Sequence, residues 1–164
     1  AIHGQIAANT PIGESITLIN EYLVKNTPTN RFVTLFIAEL APPTGELNFI
    51  NAGHNPPLIA RANGTIELLE SGGMPLGLMV LDDYEAGRAM LNSGDTLVIY
   101  SDGVSEANNI NEDEFGLDRL KDVICANITA SASGMRDKVE SALSDFTGTA
   151  PANDDITLVI VKRL

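Results

Sequence analysis

The chain has 164 residues, 44% of them hydrophobic, which is enough for one domain with a real core and short for two. With 10 Lys and Arg against 22 Asp and Glu, its formal net charge of −12 argues against a nucleic-acid partner, because that binding draws on clustered basic residues and counterion release. The acidity suits cations, basic peptide segments or plain solubility.

Ile2 and Ile6 stand at helical spacing with no cap before them, so Ile2 to Ala8 read as the tail of an element begun upstream and the chain as a fragment of a longer protein. Thr10-Pro11 reads as an N-cap with Pro at the first helical position. Ile12, Ile16, Ile19 and Leu23 then line one face of a helix that should end near Asn26, before Pro28. The nearly continuous apolar run from Phe32 to Leu40 predicts a strand covered on both faces. A turn at Pro43-Thr44-Gly45-Glu46 and the run Leu47 to Ala52 make it the first arm of a hairpin. Leu58 to Ala60 and Thr65 to Leu69 flank Asn63-Gly64, the strongest short hairpin signal in the chain.

Beyond the turn-rich Ser71-Gly72-Gly73-Met74-Pro75, Tyr84 to Leu91 and Thr96 to Tyr100 read as two strands separated by Asn92-Ser93-Gly94-Asp95. The period then changes. Leu117, Leu120, Ile124 and Ile128 fall on one helical face, and Met135, Val139, Leu143 and Phe146 on another, with Ala130 to Gly134 as the intervening loop and Ser133 as a cap. Ile156 to Val161 returns to strand. Antiparallel strands, a helix pair and a last strand that rejoins the sheet describe a single α+β domain. No apolar run approaches the roughly 18 residues needed to span a bilayer, so no membrane contact is expected of this domain. The single Cys125 cannot form an internal disulfide, fits a reducing cytoplasm and reads as a core residue of a helix.

Two aspartate motifs adjoin strand-like runs: Ser101-Asp102-Gly103 after Thr96 to Tyr100, and Asn153-Asp154-Asp155-Ile156-Thr157 before Leu158 to Val161. Asp102 stands where a strand reaches the sheet's edge, and Gly103 permits a sharp turn. Alone, each motif reads as an ordinary polar turn. Together they carry more, because two carboxylates about 4 Å apart repel by roughly 4 kcal/mol at an effective dielectric near 20, and a divalent cation reverses that sign. With no Cys or His cluster, an all-oxygen site favours Mg²⁺ or Mn²⁺ over zinc. His54 has only His3 for company and reads as a loop-structuring residue. Ser101 and Ser105 lack a His at the spacing of a nucleophilic triad. Gly72 to Gly77 lacks the Gly-Lys-Ser/Thr ending of a phosphate-binding loop and reads as a turn shaping the region near the site. Asn111-Glu112-Asp113-Glu114 reads as a solvated loop.

Arg31-Phe32-Val33-Thr34-Leu35-Phe36, Asn51-Ala52-Gly53-His54-Asn55-Pro56-Pro57, Pro75-Leu76-Gly77, Ser101-Asp102-Gly103-Val104-Ser105-Glu106-Ala107, Phe115-Gly116 and Asn153-Asp154-Asp155-Ile156-Thr157 follow one another in that order. From about residue 31 to the end, this succession resembles the SpoIIE/RsbU branch of the metal-dependent PPM serine/threonine protein phosphatases. The resemblance implies a sandwich of two antiparallel β-sheets flanked by helices, with a binuclear Mn²⁺ or Mg²⁺ centre at one end. It places metal-ligand roles on Asp102 and Asp154, with Asp155 supporting them or serving as an alternative ligand. The implied reaction is hydrolysis of a phosphoserine or phosphothreonine ester by metal-activated water attacking in line, without a phosphoenzyme.

The implied partner is a phosphorylated anti-anti-sigma regulator of STAS-type fold in bacterial partner-switching signal transduction, and a homodimer is compatible with the reading. The family's first metal motif, an aspartate in a Gly-Asp-Val-x-Gly-type loop, has no counterpart in this chain. Residues 1–164 are therefore expected to be a phosphatase domain lacking its N-terminal segment, binding metal weakly and turning over little, even with an active parent. The alternatives are a pseudophosphatase serving as a protein-binding or dimerisation module, and a metal-binding structural domain of unrelated fold.

Overall fold

The computed structural model describes residues 11–28 and 30–164, so the readings placed on Ile2 to Ala8, His3 and Thr10 lie outside the described residues. In chain order the elements are α1 (Ile12–Asn26), β1 (Leu35–Leu40), β2 (Glu46–Ala52), β3 (Leu58–Ala60), β4 (Ile66–Leu68), β5 (Gly72–Gly73), β6 (Gly87–Met90), β7 (Thr96–Tyr100), α2 (Asp102–Ser105), α3 (Gly116–Ala126), α4 (Ala132–Thr147) and β8 (Leu158–Lys162). They divide between two compact units, one drawn from the described residues within 11–54 and 69–90 and the other from 55–68 and 91–164.

In the first unit, the predicted stripe of Ile12, Ile16, Ile19 and Leu23 gives α1 its apolar face, which packs with Ile50, Ala52, Leu76 and Tyr84. Pro11 precedes the helix instead of opening it: its ψ of 141° is extended. The helix stops at Thr27, also extended, because the residue before a proline is pushed out of the helical region. β1 and β2 form the expected hairpin, in register from Leu35 opposite Ala52 to Leu40 opposite Leu47. β2 also pairs antiparallel with β6 and parallel with the short β5.

Two expectations fail here. The first strand begins at Leu35, and its side chains are only partly covered, with Phe32 and Val33 exposed ahead of it. With every residue of β1 at least partly exposed, the apolar run does not mark a strand buried on both faces. The later strand is confined to Gly87–Met90: Tyr84 is buried outside the ladder, where its hydroxyl donates to the Met74 carbonyl.

The second unit holds an antiparallel sheet in the order β4-β3-β7-β8. The Asn63-Gly64 turn joins β3 to β4 as predicted: Gly64 takes a φ of +86°, and Asn63 Oδ1 accepts the Thr65 amide at 3.0 Å. Leu120 and Ile124 of α3 and Met135, Val139 and Leu143 of α4 bury one core together with Leu58, Val98 and Tyr100 of the sheet. Phe146 meets Phe115 edge to face at 5.5 Å, and the Arg119 guanidinium lies 4.7 Å from the Phe146 ring centre.

The cap of α4 is Ser131, not Ser133, since it is the Ser131 hydroxyl that accepts the Gly134 amide. Cys125 is half-buried instead of in the core, and its thiol donates to the Gly64 carbonyl. Among the described residues, no helix is long and apolar enough to cross a membrane.

Candidate metal centre

The two aspartate motifs stand at the same end of the β7–β8 pair. Tyr100 opposite Leu158 is the last rung of the ladder. One further backbone bond follows, from the Ser101 amide to the Thr157 carbonyl at 3.0 Å. Asp102 therefore lies just beyond the end of β7, and Asp154 just before β8 begins. Ile156 and Thr157, predicted to be strand, precede it: the Thr157 amide bonds to the Ser101 hydroxyl instead of a ladder carbonyl.

Asp102 opens the single-turn helix α2, which replaces the sharp turn expected there. Gly103 is buried and has no positive φ, so its freedom to turn is not why a glycine is needed. Proximity is the reason. A Cβ on Gly103 would lie 2.4 Å from the Asp155 carbonyl oxygen and 3.5 Å from the Asp154 carbonyl carbon, so the Asp102-Gly103 and Asp154-Asp155 segments are in direct contact.

Both aspartates are exposed. Asp102 Oδ1 accepts the Gly103 amide at 2.9 Å and Asp154 Oδ1 accepts the Asp155 amide at 2.7 Å, bonds that orient each carboxylate on its own backbone. Among the described residues neither aspartate is in an ion pair, and no three His, Cys, Asp or Glu side chains are grouped to hold a metal. Carboxylate oxygens are the donor type a hard divalent cation takes. Beside it opens a cavity of about 250 Å³ lined by Gly103, Glu106, Asn108, Glu114, Asn153 and Asp154, among others.

The other candidates make the following local contacts. The His54 backbone amide donates to Asn51 Oδ1 at 2.8 Å, while the buried Asn51 side chain reaches the Leu69 carbonyl, so Asn51 organises that loop. Ser105 Oγ donates to the Asp102 carbonyl and accepts from Asn55. Gly72 and Gly73 form strand β5. The acidic stretch 111–114 is exposed, folded over Asn109, whose Oδ1 accepts the amides of Asn111 and Asp113.

Sequence reasoning weighed Ser101 only as a nucleophile and missed its actual contacts. Its hydroxyl accepts the Thr157 amide at 2.9 Å and donates to the Asp155 carbonyl at 3.0 Å. The available signal was a hydroxyl residue directly before Asp-Gly, but its partners lie more than fifty residues away and nothing local announces them.

Residues 1–164 match the family described as Stage II sporulation protein E (SpoIIE). Protein IcfG of Synechocystis sp. (strain ATCC 27184 / PCC 6803 / Kazusa) is 29% identical over 150 residues, covering 91% of this chain and 24% of that protein. The phosphoserine phosphatase RsbU of Bacillus subtilis (strain 168) is 29% identical over 151 residues, covering 88% of this chain and 43% of that protein. The chain thus spans less than half the length of either relative.

Among solved structures, the PP2C phosphatase domain of SpoIIE from Bacillus subtilis, with a fragment of its regulatory domain, has a TM-score of 0.80 at 20% identity, covering 98% of this chain and 47% of that one. The SiaA-PP2C domain of Pseudomonas aeruginosa has a TM-score of 0.79 at 17% identity, covering 99% of this chain and 64% of that one. These likenesses show the fold: an α+β arrangement of two sheets with helices, as in PP2C-type phosphatase domains. By the match along its whole length and by that fold, the chain belongs to the SpoIIE family, in the SpoIIE/RsbU branch of the PPM phosphatases.

Proposed function

We propose that this chain supplies part of a phosphatase centre that hydrolyses a phosphoserine or phosphothreonine ester on a regulatory protein, with Asp102 and Asp154 holding Mn²⁺ or Mg²⁺. The observation that carries this reading is the contact of Gly103 with the Asp154-Asp155 segment, which puts two exposed carboxylates on adjoining backbone. When bound, such a cation makes water more acidic and neutralises charge that builds on the phosphoryl oxygens. The chain's own part is to hold that charge in place, through carboxylates oriented by the amides of Gly103 and Asp155. A protein of net charge −12 otherwise repels an anionic phosphoester, so carboxylates left without an ion-pair partner suit a site that needs a cation before it can accept substrate.

The name of the RsbU relative, a phosphoserine phosphatase, supports the phosphoester class. The resemblance of the motifs points further, to a phosphorylated STAS-type anti-anti-sigma regulator in cytoplasmic partner switching. Because the chain covers under half of its relatives, the activity is proposed for the longer protein that contains it. Two carboxylates alone make an incomplete centre, so the 164-residue chain should bind metal weakly and turn over little.

The same two-ligand set favours a second reading, a pseudophosphatase used as a protein-binding module. Phosphate release from a phosphoserine peptide by the longer protein with Mn²⁺ decides between them. Metal-dependent release lost in Asp102→Asn supports the enzyme, and no release from the native protein supports the binding module. Release unchanged by the substitution overturns the assignment of Asp102.

A further inference from the structure

We infer that Ser101 is a positioning residue for the metal pair: its hydroxyl ties the segment that carries Asp154 to the one that carries Asp102. The inference rests on the reading that these two aspartates bind one cation.

The ladder geometry sets the problem. Beyond the last rung, Tyr100 opposite Leu158, Asp102 is two residues along one chain while Asp154 is four residues back along the other. The same register continues past that rung, with Ser101 opposite Thr157 and Gly103 against Asp155, but Asp102 opens α2 and the ladder stops, so strand pairing does not hold residues 154–156 in place. One side chain ties that stretch down. The Ser101 hydroxyl accepts the Thr157 amide at 2.9 Å and donates to the Asp155 carbonyl at 3.0 Å, using one donor and one acceptor on backbone groups two residues apart. Gly103 completes the clasp from the other side. With no Cβ, its α-carbon lets the Asp155 carbonyl approach to a distance that any side chain would block.

Ser101 and Gly103 thus flank Asp102 in sequence, and both contact the segment carrying Asp154. The bridged groups lie at an exposed edge, with Asp154, Asp155, Ile156 and Thr157 all open to solvent. If the hydroxyl is removed, water can replace it on both backbone groups, so the fold loses little. What is lost is the fixed separation of the two carboxylates. A positioning role therefore separates from a merely structural one: metal affinity falls while thermal stability holds.

The test measures Mn²⁺ binding to the longer protein that contains this chain by the electron paramagnetic resonance signal of free Mn²⁺, alongside melting temperature by circular dichroism. Ser101→Ala should weaken Mn²⁺ binding by about tenfold or more, the range seen when groups that orient metal ligands are removed. Its melting temperature should stay close to native. Ser101→Thr, which keeps the hydroxyl, should bind nearly as the native chain does. Gly103→Ala, which keeps the hydroxyl but wedges the segments apart, should also weaken binding.

Native affinity in Ser101→Ala overturns the inference. So does a loss of affinity that follows a large fall in melting temperature and is not restored by Thr, since that assigns Ser101 to stability alone. Asp102→Asn separates the two levels. If it leaves Mn²⁺ binding unchanged, the metal assignment itself fails; if it abolishes binding while Ser101→Ala does not weaken it, only the positioning role fails.

Discussion

Arg61 donates from Nη1 to Asp95 Oδ2 at 2.7 Å, in an ion pair whose carboxylate side chain is only 4% exposed. Asp95 gathers more than this partner. Its Oδ1 accepts the Ala62 amide at 3.0 Å and its Oδ2 the Asn92 amide at 2.9 Å, and its carbonyl accepts the Arg163 amide. Three connections of the second unit therefore meet at one carboxylate: the β3–β4 turn, the turn into β7 and the end of β8. Arg61 is shared with Glu67 across the same hairpin.

Burial by itself would raise the Asp95 carboxyl, but the Arg61 guanidinium and the amides of Ala62 and Asn92 outweigh it and hold the group below its ordinary value. A carboxyl lowered in the folded state adds stability that is complete above its unfolded value of about 3.9 and is lost as pH falls through the lower folded value. Asp95→Asn should accordingly be less stable than the native chain at pH 7, with the gap closing below about pH 3.9. Asp95→Ala, which strands the Ala62 and Asn92 amides and takes one of its carboxylate partners from Arg61, should cost about 2 kcal/mol at neutral pH. Urea denaturation across pH measures both, and a gap independent of pH would count against the ion pair.

Asp102→Asn and Asp154→Asn should leave stability within about 0.5 kcal/mol of native, because both side chains are exposed and contact no core. In the longer protein each should cut phosphate release by orders of magnitude, since each removes a negative charge from the proposed metal site. Chelation of metal should do the same to the native protein, with recovery on adding Mn²⁺. Turnover measured with a phosphoserine peptide, beside thermal melting, reads the two effects separately.

The 164-residue chain on its own should show little turnover with Mn²⁺ and a phosphopeptide, because its described residues group only two carboxylates at the candidate centre. Full turnover by this chain would refute that expectation.

Asn20, fully buried on α1, clamps the loop that follows Leu76: it donates to the Met79 carbonyl at 2.9 Å and accepts the Gly77 amide at 2.8 Å. Asn20→Ala strands both backbone groups and should destabilise by about 2 kcal/mol. Hydrogen exchange should show the Gly77 amide losing protection before those of the β1–β2 hairpin.

Ser131→Ala should cost about 1 kcal/mol through loss of the cap on α4. Ser133→Ala should cost much less, which distinguishes the two serines by thermal melting.

How much of this was legible in the sequence follows from the range of each interaction. Ile12, Ile16, Ile19 and Leu23, the Asn63-Gly64 turn and the apolar faces of α3 and α4 depend on near neighbours, so spacing alone announced them. The two aspartate motifs were legible through their order among the other segments, and the family followed from the same order. Where the sequence misled, a distant partner decided. The run Phe32 to Leu40 is nearly continuously apolar, but coverage depends on what packs against it, and every residue of β1 stays at least partly exposed. Ser133 was the expected cap, and the phase at which the helix begins selects Ser131 instead.

The sequence by itself determined most of the elements and their order, though not β5 or α2, and the residue types able to hold a hard cation, because hydrophobic period, turn chemistry and carboxylate placement are local properties of a chain. Only the tertiary structure decided which groups meet. The β7–β8 register brings the Ser101 hydroxyl to Thr157 and Asp155 and lays Gly103 against the Asp155 carbonyl, contacts made across more than fifty residues. Their physical reason is the pairing of two strands, which fixes distances between segments that have no relation along the sequence.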